Sequence, residues 1–428
     1  MRRKCISLFI IFTMLVTVFS GCGTSDAMSG DTGSSDEQQV ITMWTIATES
    51  DAFNAPFVQA IKDYEESHPD VKIVMETFEN QAYKTKLKSA VASNELPDIF
   101  FTWGGGFSKS FVESGKVLAL DEYYEQYKDE LPEAAVSYAT YDGTLYGTTY
   151  VTTVSMLYYN QKIFAERGLK APQSWEELLP ICESLNSANI TPIALSAKDT
   201  WGLAMLHDAL ALKSAGHDKV QMTLTREGQS YNIPEFLVAA EKLRTLIDIE
   251  AFSDKAANLS NDEAQATFID GEAAMYIMGS WTGGVISTDA NDATDFAVVP
   301  VPEINGNAKA TDFVGGAVDT LMVNAKTADK DLSANVAFEL ARSVSKYAFL
   351  DGAGIPAWTI NYDTSMVNPL SAKIADYTKH ATSFTLWFDT LMEAEDAAAY
   401  LTLLQKLYAN EIDAPSFVKG MDAQLSKQ

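Results

Sequence analysis

Two tryptophans stand at the ends of short apolar runs, each beside glycine. One run is Ile99-Phe100-Phe101-Thr102-Trp103-Gly104-Gly105-Gly106, and the other is Ala273 to Met278 followed by Gly279-Ser280-Trp281. A third, Trp201, lies two residues after Asp199 in a polar stretch. An indole offers a broad flat apolar face, and carboxylates and amides accept or donate hydrogen bonds around an edge. Together they suit a ligand with apolar faces and a polar rim. Glycine beside a strand end lets the backbone turn sharply and lets a ligand approach closely. In open α/β sheets such strand ends are where ligands bind. Covalent chemistry finds no support, because the chain has no Gly-x-Ser-x-Gly elbow, phosphate loop or zinc-binding helix. Its four histidines, His68, His207, His217 and His380, show no metal-ligand spacing with one another or with a cysteine, so neither a metal nor a cofactor is expected.

The elements that would carry these residues alternate. Residues 40–44 read as a strand, Phe53, Phe57, Ile61 and Tyr64 follow at helical spacing, and residues 71–75 form the next strand. A strand, a helix and a second strand of this length imply a largely parallel sheet. Residues 81–92 read as a helix leading into the strand that ends at Trp103, and 107–127 as mostly helical around Gly115. Asp142-Gly143 signals a tight hairpin. Residues 154–159 form an aromatic-rich strand, 160–167 a short helix closed by Gly168, and Ser174 with Glu177 a capping box. Strands are expected at 190–195, 273–278, 296–300 and 317–324, with helices at about 203–213, 234–249 and 332–344. Gly352, Gly354 and Pro356 break the chain before Trp358, and helices fill the remainder. No sequence repeat of fixed period is evident.

At 428 residues with 47% hydrophobic content, the chain is globular and long enough for two or three domains. Arg2, Arg3 and Lys4 precede a run from Ile6 to Phe19 that is too short to span a membrane comfortably, which is the pattern of a secretory signal. The segment Val18-Phe19-Ser20-Gly21-Cys22 resembles a bacterial lipobox, with Phe19 in place of the usual aliphatic residue. That resemblance implies cleavage after residue 21 and lipidation of Cys22. Residues 22–39 are Gly, Ser, Thr and acid with little to bury, which reads as a flexible tether. Removing residues 1–21 takes three of 31 basic residues and none of 58 acids, leaving 28 against 58 and a formal charge of −30. That balance argues against nucleic acid as a partner and favours a neutral or cationic ligand. The remaining thiol, Cys182, falls in an apolar helical pattern and reads as core, so no internal disulfide is possible.

Over about residues 40–425 the order of features resembles the bacterial extracellular solute-binding proteins of family 1, receptors of carbohydrate ABC importers that include the maltose-binding protein. The most specific match runs from Phe268 to Trp281, a Phe, a Gly-acidic turn at Asp270-Gly271-Glu272, Ala274-Met275, an apolar strand and Gly279-Ser280-Trp281. Supporting matches are Leu96-Pro97-Asp98-Ile99, Asp142-Gly143, Leu157-Tyr158-Tyr159-Asn160, Ser174-Trp175-Glu176-Glu177 and Gly354-Ile355-Pro356-Ala357. The resemblance implies an α/β fold of the two-lobed, type II periplasmic-binding kind, each lobe a sheet flanked by helices, with the ligand in the cleft between them. Lobe one would comprise residues 40–150 and 313–350, and lobe two residues 151–312 and 351–428. It implies a non-enzymatic, monomeric receptor, lipid-anchored at Cys22 on the extracellular face of the cytoplasmic membrane. Such a receptor hands a carbohydrate to the transmembrane permease subunits of an ABC importer.

By the same resemblance Trp103, Trp201, Trp281 and Trp387 stand where stacking aromatics are common, and Trp358 follows a Gly-Ile-Pro turn that faces the cleft. Polar candidates are Glu49 after the first strand, Asn80 after the second, Thr153 at a lobe crossing, and Asp199. Five candidate aromatics suggest an oligosaccharide. Two rival readings stay open: a receptor for a polyamine or other small cation, favoured by the charge, and a lipid-anchored glycoside hydrolase, which would need two carboxylates at fixed separation.

Overall fold

A computed structural model of the protein describes residues 38–427. The secretory signal, Cys22 and the tether as far as residue 37 lie outside the described residues. Gln39, expected at the end of the tether, already belongs to the first strand.

The first strands follow the expected order. Strand β1 (Gln39–Thr45) pairs in parallel with β2 (Val71–Thr77) on one side and β3 (Ile99–Trp103) on the other. Helix α1 (Asn54–Ser67) connects β1 to β2, and α2 (Asn80–Ser93) connects β2 to β3. All five residues of β3 are buried, as expected for a central strand covered on both faces. Helix α3 (Gly106–Glu113) follows directly. The run read as helical beyond Gly115 is instead broken into a bridge at Val117 and one short turn, Asp121–Tyr124.

A small hairpin, β4 (Thr140–Tyr141) with β5 (Thr144–Leu145), turns through Asp142 and Gly143, both at positive φ, as the Asp-Gly pair implies. Strand β6 (Gly147–Thr149) then joins the edge of the first sheet, and β7 (Val151–Asn160) opens the second. The second sheet adds β8 (Thr191–Ala194), β9 (Ala273–Gly279), β10 (Phe296–Pro300) and β11 (Asp312–Gly316). The chain returns to the first sheet as β12 (Asp319–Val323), antiparallel to β3 and β6, and then comes back to the second as β13 (Ile355–Pro356) and β14 (Ser383–Thr385). The first sheet runs β2-β1-β3-β12-β6 and the second β14-β11-β7-β9-β8, with β10 and β13 also on β7. One long strand, β7, thus pairs with four others, β9, β10, β11 and β13, and the chain moves between sheets at residues 149–151, 316–319 and in the segment leading to β13.

Caps refine the reading in one place. Ser174 accepts the Glu177 N–H at 3.3 Å, but Glu177 accepts from the Gln173 N–H at 2.7 Å rather than from Ser174. The reciprocal box occurs at Ser260 and Glu263, opening the helix Asn261–Ile269. Cys182 is fully buried, as its apolar pattern implies.

Candidate functional site

A cavity of about 470 Å³ lies between elements of the two sheets. The first sheet's elements contribute the loop 46–53, Glu79, Asn80 and Lys84 at the start of α2, Phe101 and Trp103 of β3, and Asp319 of β12. The second sheet's elements contribute Asp199, Trp201 and Asp208 of the segment after β8, Asn261, Asp262 and Gln265, Trp281 after β9, and Trp387, Asp389 and Thr390 after β14.

Four of the five tryptophans named for the cleft reach it, in two different conditions. Trp201 and Trp281 are partly exposed, whereas Trp103 and Trp387 keep only 8% and 6% of their surface. Trp103 is boxed edge-on by Phe101 at 4.9 Å and Phe107 at 5.1 Å between centroids, and the Lys84 ammonium sits over its ring at 4.9 Å. Trp281 meets Trp387 edge to face, centroids 6.1 Å apart. Its placement depends on Gly279, where a Cβ would fall 2.2 Å from the indole. The glycines after Trp103 serve another purpose than the one expected. A Cβ on Gly104, Gly105 or Gly106 would meet the carbonyls of Tyr138, Thr390 and Met392 at 2.5, 2.9 and 2.3 Å, so protein backbone fills the space expected for a ligand.

Trp358 does not reach the cleft. It is 5% exposed, donates its indole N–H to the Thr149 carbonyl at 2.8 Å and packs edge-on against Tyr127. The Gly-Ile-Pro turn pairs with β7, which directs the ring inward. Thr153 lies beneath the cavity floor, fully buried beside the Asp319 carboxylate. Glu49 is exposed and lies outside the cavity lining, although its neighbours Thr48 and Ser50 are part of it.

Two expected polar residues do line the cavity. The buried Asn80 Oδ1 and the Trp201 indole N–H have no hydrogen-bond partner, so both can serve a ligand. Asp199 accepts the Asn261 N–H at 2.7 Å, which fixes the start of the helix Asn261–Ile269. Glu79 is engaged locally, its carboxylate accepting the Gln81 and Ala82 N–H groups that open α2.

The strongest electrostatic features were not anticipated from sequence. Asp319 is 8% exposed and Asp51 accepts the Phe53 N–H at 2.8 Å. Burial first, then mutual repulsion, raises the Asp319 carboxyl to about 7. Burial likewise raises Asp51 to about 7, with Asp262 adding repulsion. Near neutrality each carboxyl is therefore partly protonated, so the two can offer donors as well as acceptors. Asp208 is held in a buried network: its Oδ2 accepts the Phe388 N–H at 3.0 Å, its Oδ1 the Tyr400 hydroxyl at 2.5 Å, and His207 Nδ1 contacts the same hydroxyl at 2.8 Å. This network fixes the turn that carries Trp387 and Asp389. The position of Asp51, two residues past Glu49 in a strand-end loop, was a legible signal. That of Asp319, an acid opening a buried strand after Gly315-Gly316, was a weaker one.

An α/β protein of two sheet-centred lobes, with a cleft of aromatic faces and unpaired polar atoms between them, has the build of a solute receptor. The chain belongs to the bacterial extracellular solute-binding protein family, whose model matches residues 47–354. It is 34% identical to a solved structure from work on xylan utilization by the thermophilic bacterium Caldanaerobius polysaccharolyticus. That likeness covers 90% of this chain and 99% of the other, with a TM-score of 0.86. It is 24% identical over 416 residues to a multiple sugar-binding protein of Streptococcus mutans, covering 92% of this chain and 91% of the relative. A chitin oligosaccharide binding protein shares the fold at a TM-score of 0.82 and 24% identity, over 91% of this chain and 98% of that one. The family is one of receptors, in keeping with the reading that the chain is not an enzyme. No helix among the described residues is long and apolar enough to cross a membrane.

Proposed function

We propose that this protein is the substrate-binding lipoprotein of an ABC importer and captures a neutral oligosaccharide in the cleft between its lobes. The observation that carries this reading is the convergence of two partly exposed indoles, Trp201 and Trp281, with unpaired polar atoms at Asn80 and Trp201 and the Asp51–Asp319 pair. Flat faces take the apolar side of a sugar ring, and the polar atoms take its hydroxyls. Two such faces, extended by the edges of Trp103 and Trp387, exceed what one ring covers. The sugar-binding relatives support the carbohydrate class.

In this reading residues 40–150 and 313–350 form one lobe and 151–312 and 351–428 the other, and the lobes close by a hinge on the segments that pass between the sheets. Sheet membership supports that division, except that β11 (Asp312–Gly316) stays with the second sheet, which moves the crossing to 316–319. The monomer is anchored through Cys22 and delivers its ligand to the permease. Calorimetry with xylo-, chito- and malto-oligosaccharides, single sugars and polyamines tests the ligand class. An oligosaccharide should bind with a micromolar or lower Kd, and binding of monosaccharides alone or polyamines alone would refute the reading.

The cationic-ligand reading is favoured by the excess of carboxylates at Asp51, Asp262 and Asp319. The raised pKa values of Asp51 and Asp319, which leave part of their charge neutralised near neutral pH, weigh against it. Release of reducing sugar from the same oligosaccharides would instead identify a hydrolase.

A further inference from the structure

The two sheets' elements also meet beside Trp103, at the wall of the ligand cavity. Lys84 of α2 reaches Asp389 at 3.2 Å, with side chains only 17% and 13% exposed. Lys109 of α3 reaches Glu393 at 2.7 Å. Lys88, one turn beyond Lys84, lies over the Phe107 ring and also feels the Asp389 charge. Helices α2 and α3 flank the first sheet, whereas residues 389–393 follow β14 of the second. In a chain with 31 basic and 58 acidic residues, three lysines of one half therefore face two acids of the other.

The backbone is equally close here. Gly105 and Gly106 lie so near the carbonyls of Thr390 and Met392 that no side chain fits between them. Asp389 is itself positioned by the buried Asp208, which holds the neighbouring Phe388 N–H. On another side of the cavity the contact across the halves is mixed, a hydrogen bond beside two like charges. Ser50 donates to Asp262 at 3.3 Å, and Asp51 and Asp262 repel each other. Like charges thus face each other at one place and opposite charges at the other.

We infer that the Lys84–Asp389 and Lys109–Glu393 pairs form a clasp that biases the two halves toward the closed arrangement. The two charged residues Lys84 and Asp389 also line the cavity, so the clasp sets how fast a bound ligand leaves. Attraction between opposite charges at this distance is strong where side chains are mostly buried and weakens with salt where they are exposed. The inner pair, Lys84–Asp389, therefore carries most of the effect, and the exposed outer pair less.

Small-angle X-ray scattering of the ligand-free protein tests the clasp without relying on the proposed ligand. Lys84→Glu and Asp389→Lys should each increase the radius of gyration, and the double reversal K84E/D389K should restore it. Circular dichroism and denaturant unfolding identify any variant that has merely unfolded, and Lys84→Met gives a milder version of the same comparison. Identical scattering from wild type, all folded single variants and the double reversal would overturn the inference. Where an oligosaccharide binds, its dissociation should be about fivefold faster from Lys84→Met. An unchanged dissociation rate would remove the link between clasp and ligand, while absence of any sugar binding would refute only the proposed function.

Discussion

Strand β3 and strand β9 end alike in sequence and differently in space. Both finish beside glycine and tryptophan in the cleft wall, one in each half of the molecule. At β3 the glycines admit the backbone of Tyr138, Thr390 and Met392, and Trp103 is packed behind Lys84 and two phenylalanines. At β9 the glycine admits the indole of Trp281 itself, which folds back on its own strand end and keeps a free face. A glycine therefore reports that something comes close, and the surrounding fold decides what. In the proposed receptor the first site would be a wall and the second a platform.

Substitutions can break this contrast. The largest effect is expected for Trp103→Ala, which deletes a ring that is 8% exposed among aromatic neighbours. Urea unfolding should show a loss of about 3–5 kcal/mol. A loss below about 1 kcal/mol would make Trp103 a platform like its counterpart. Next comes Trp281→Ala, for which titration calorimetry with the bound oligosaccharide should show about 2–3 kcal/mol weaker binding, by analogy with aromatic anchors at interfaces, and little change in stability. Unchanged affinity would assign the ring to packing. Gly279→Ala should act through Trp281 alone, because its methyl group would collide with the indole. Binding weakened by about 1 kcal/mol, with Gly279→Ala adding nothing to the loss already caused by Trp281→Ala in the double variant, is the expected pattern, and additive losses would contradict it.

The smallest effect concerns the floor beneath both tryptophans. A carboxyl whose folded pKa is about 7 keeps its proton in the folded protein while the unfolded chain, near 4, has released it. Such groups withdraw stability as pH rises from about 4 to about 7. His207, held down at about 3 by burial, acts in the opposite direction between 3 and 6.5, so the informative quantity is a difference between proteins. Asp319→Asn should gain on the order of 1 kcal/mol over wild type at pH 8 relative to the same comparison at pH 4. A pH-independent difference would mean that Asp319 is ionised throughout.

Much of the fold was legible because period and punctuation agree with it. The parallel β1, β2 and β3, the Asp142-Gly143 hairpin and the buried β9 all follow from apolar runs bounded by turn residues. What was not legible depends on contacts between segments distant in sequence. Trp358 carried the same outward signal as Trp281, a glycine and a chain break, but the pairing of Ile355 with Thr152 turns its ring toward Tyr127. Asp51 and Asp319, 268 positions apart by their numbers, form a site only because β12 returns beside β3 and the loop after β1. Nothing in the sequence singles out Lys84, because its partner Asp389 arrives from a segment 305 positions later in the chain.

The most direct test is an intrinsic-fluorescence titration with oligosaccharides of increasing length, run in parallel on wild type, Trp281→Phe and Trp103→Phe. Saturable emission changes that strengthen from single sugars to oligomers, lost in Trp281→Phe and kept in Trp103→Phe, are the predicted result. Saturation by single sugars alone, or a signal that vanishes with Trp103 and survives loss of Trp281, would contradict an oligosaccharide receptor with Trp281 as its platform.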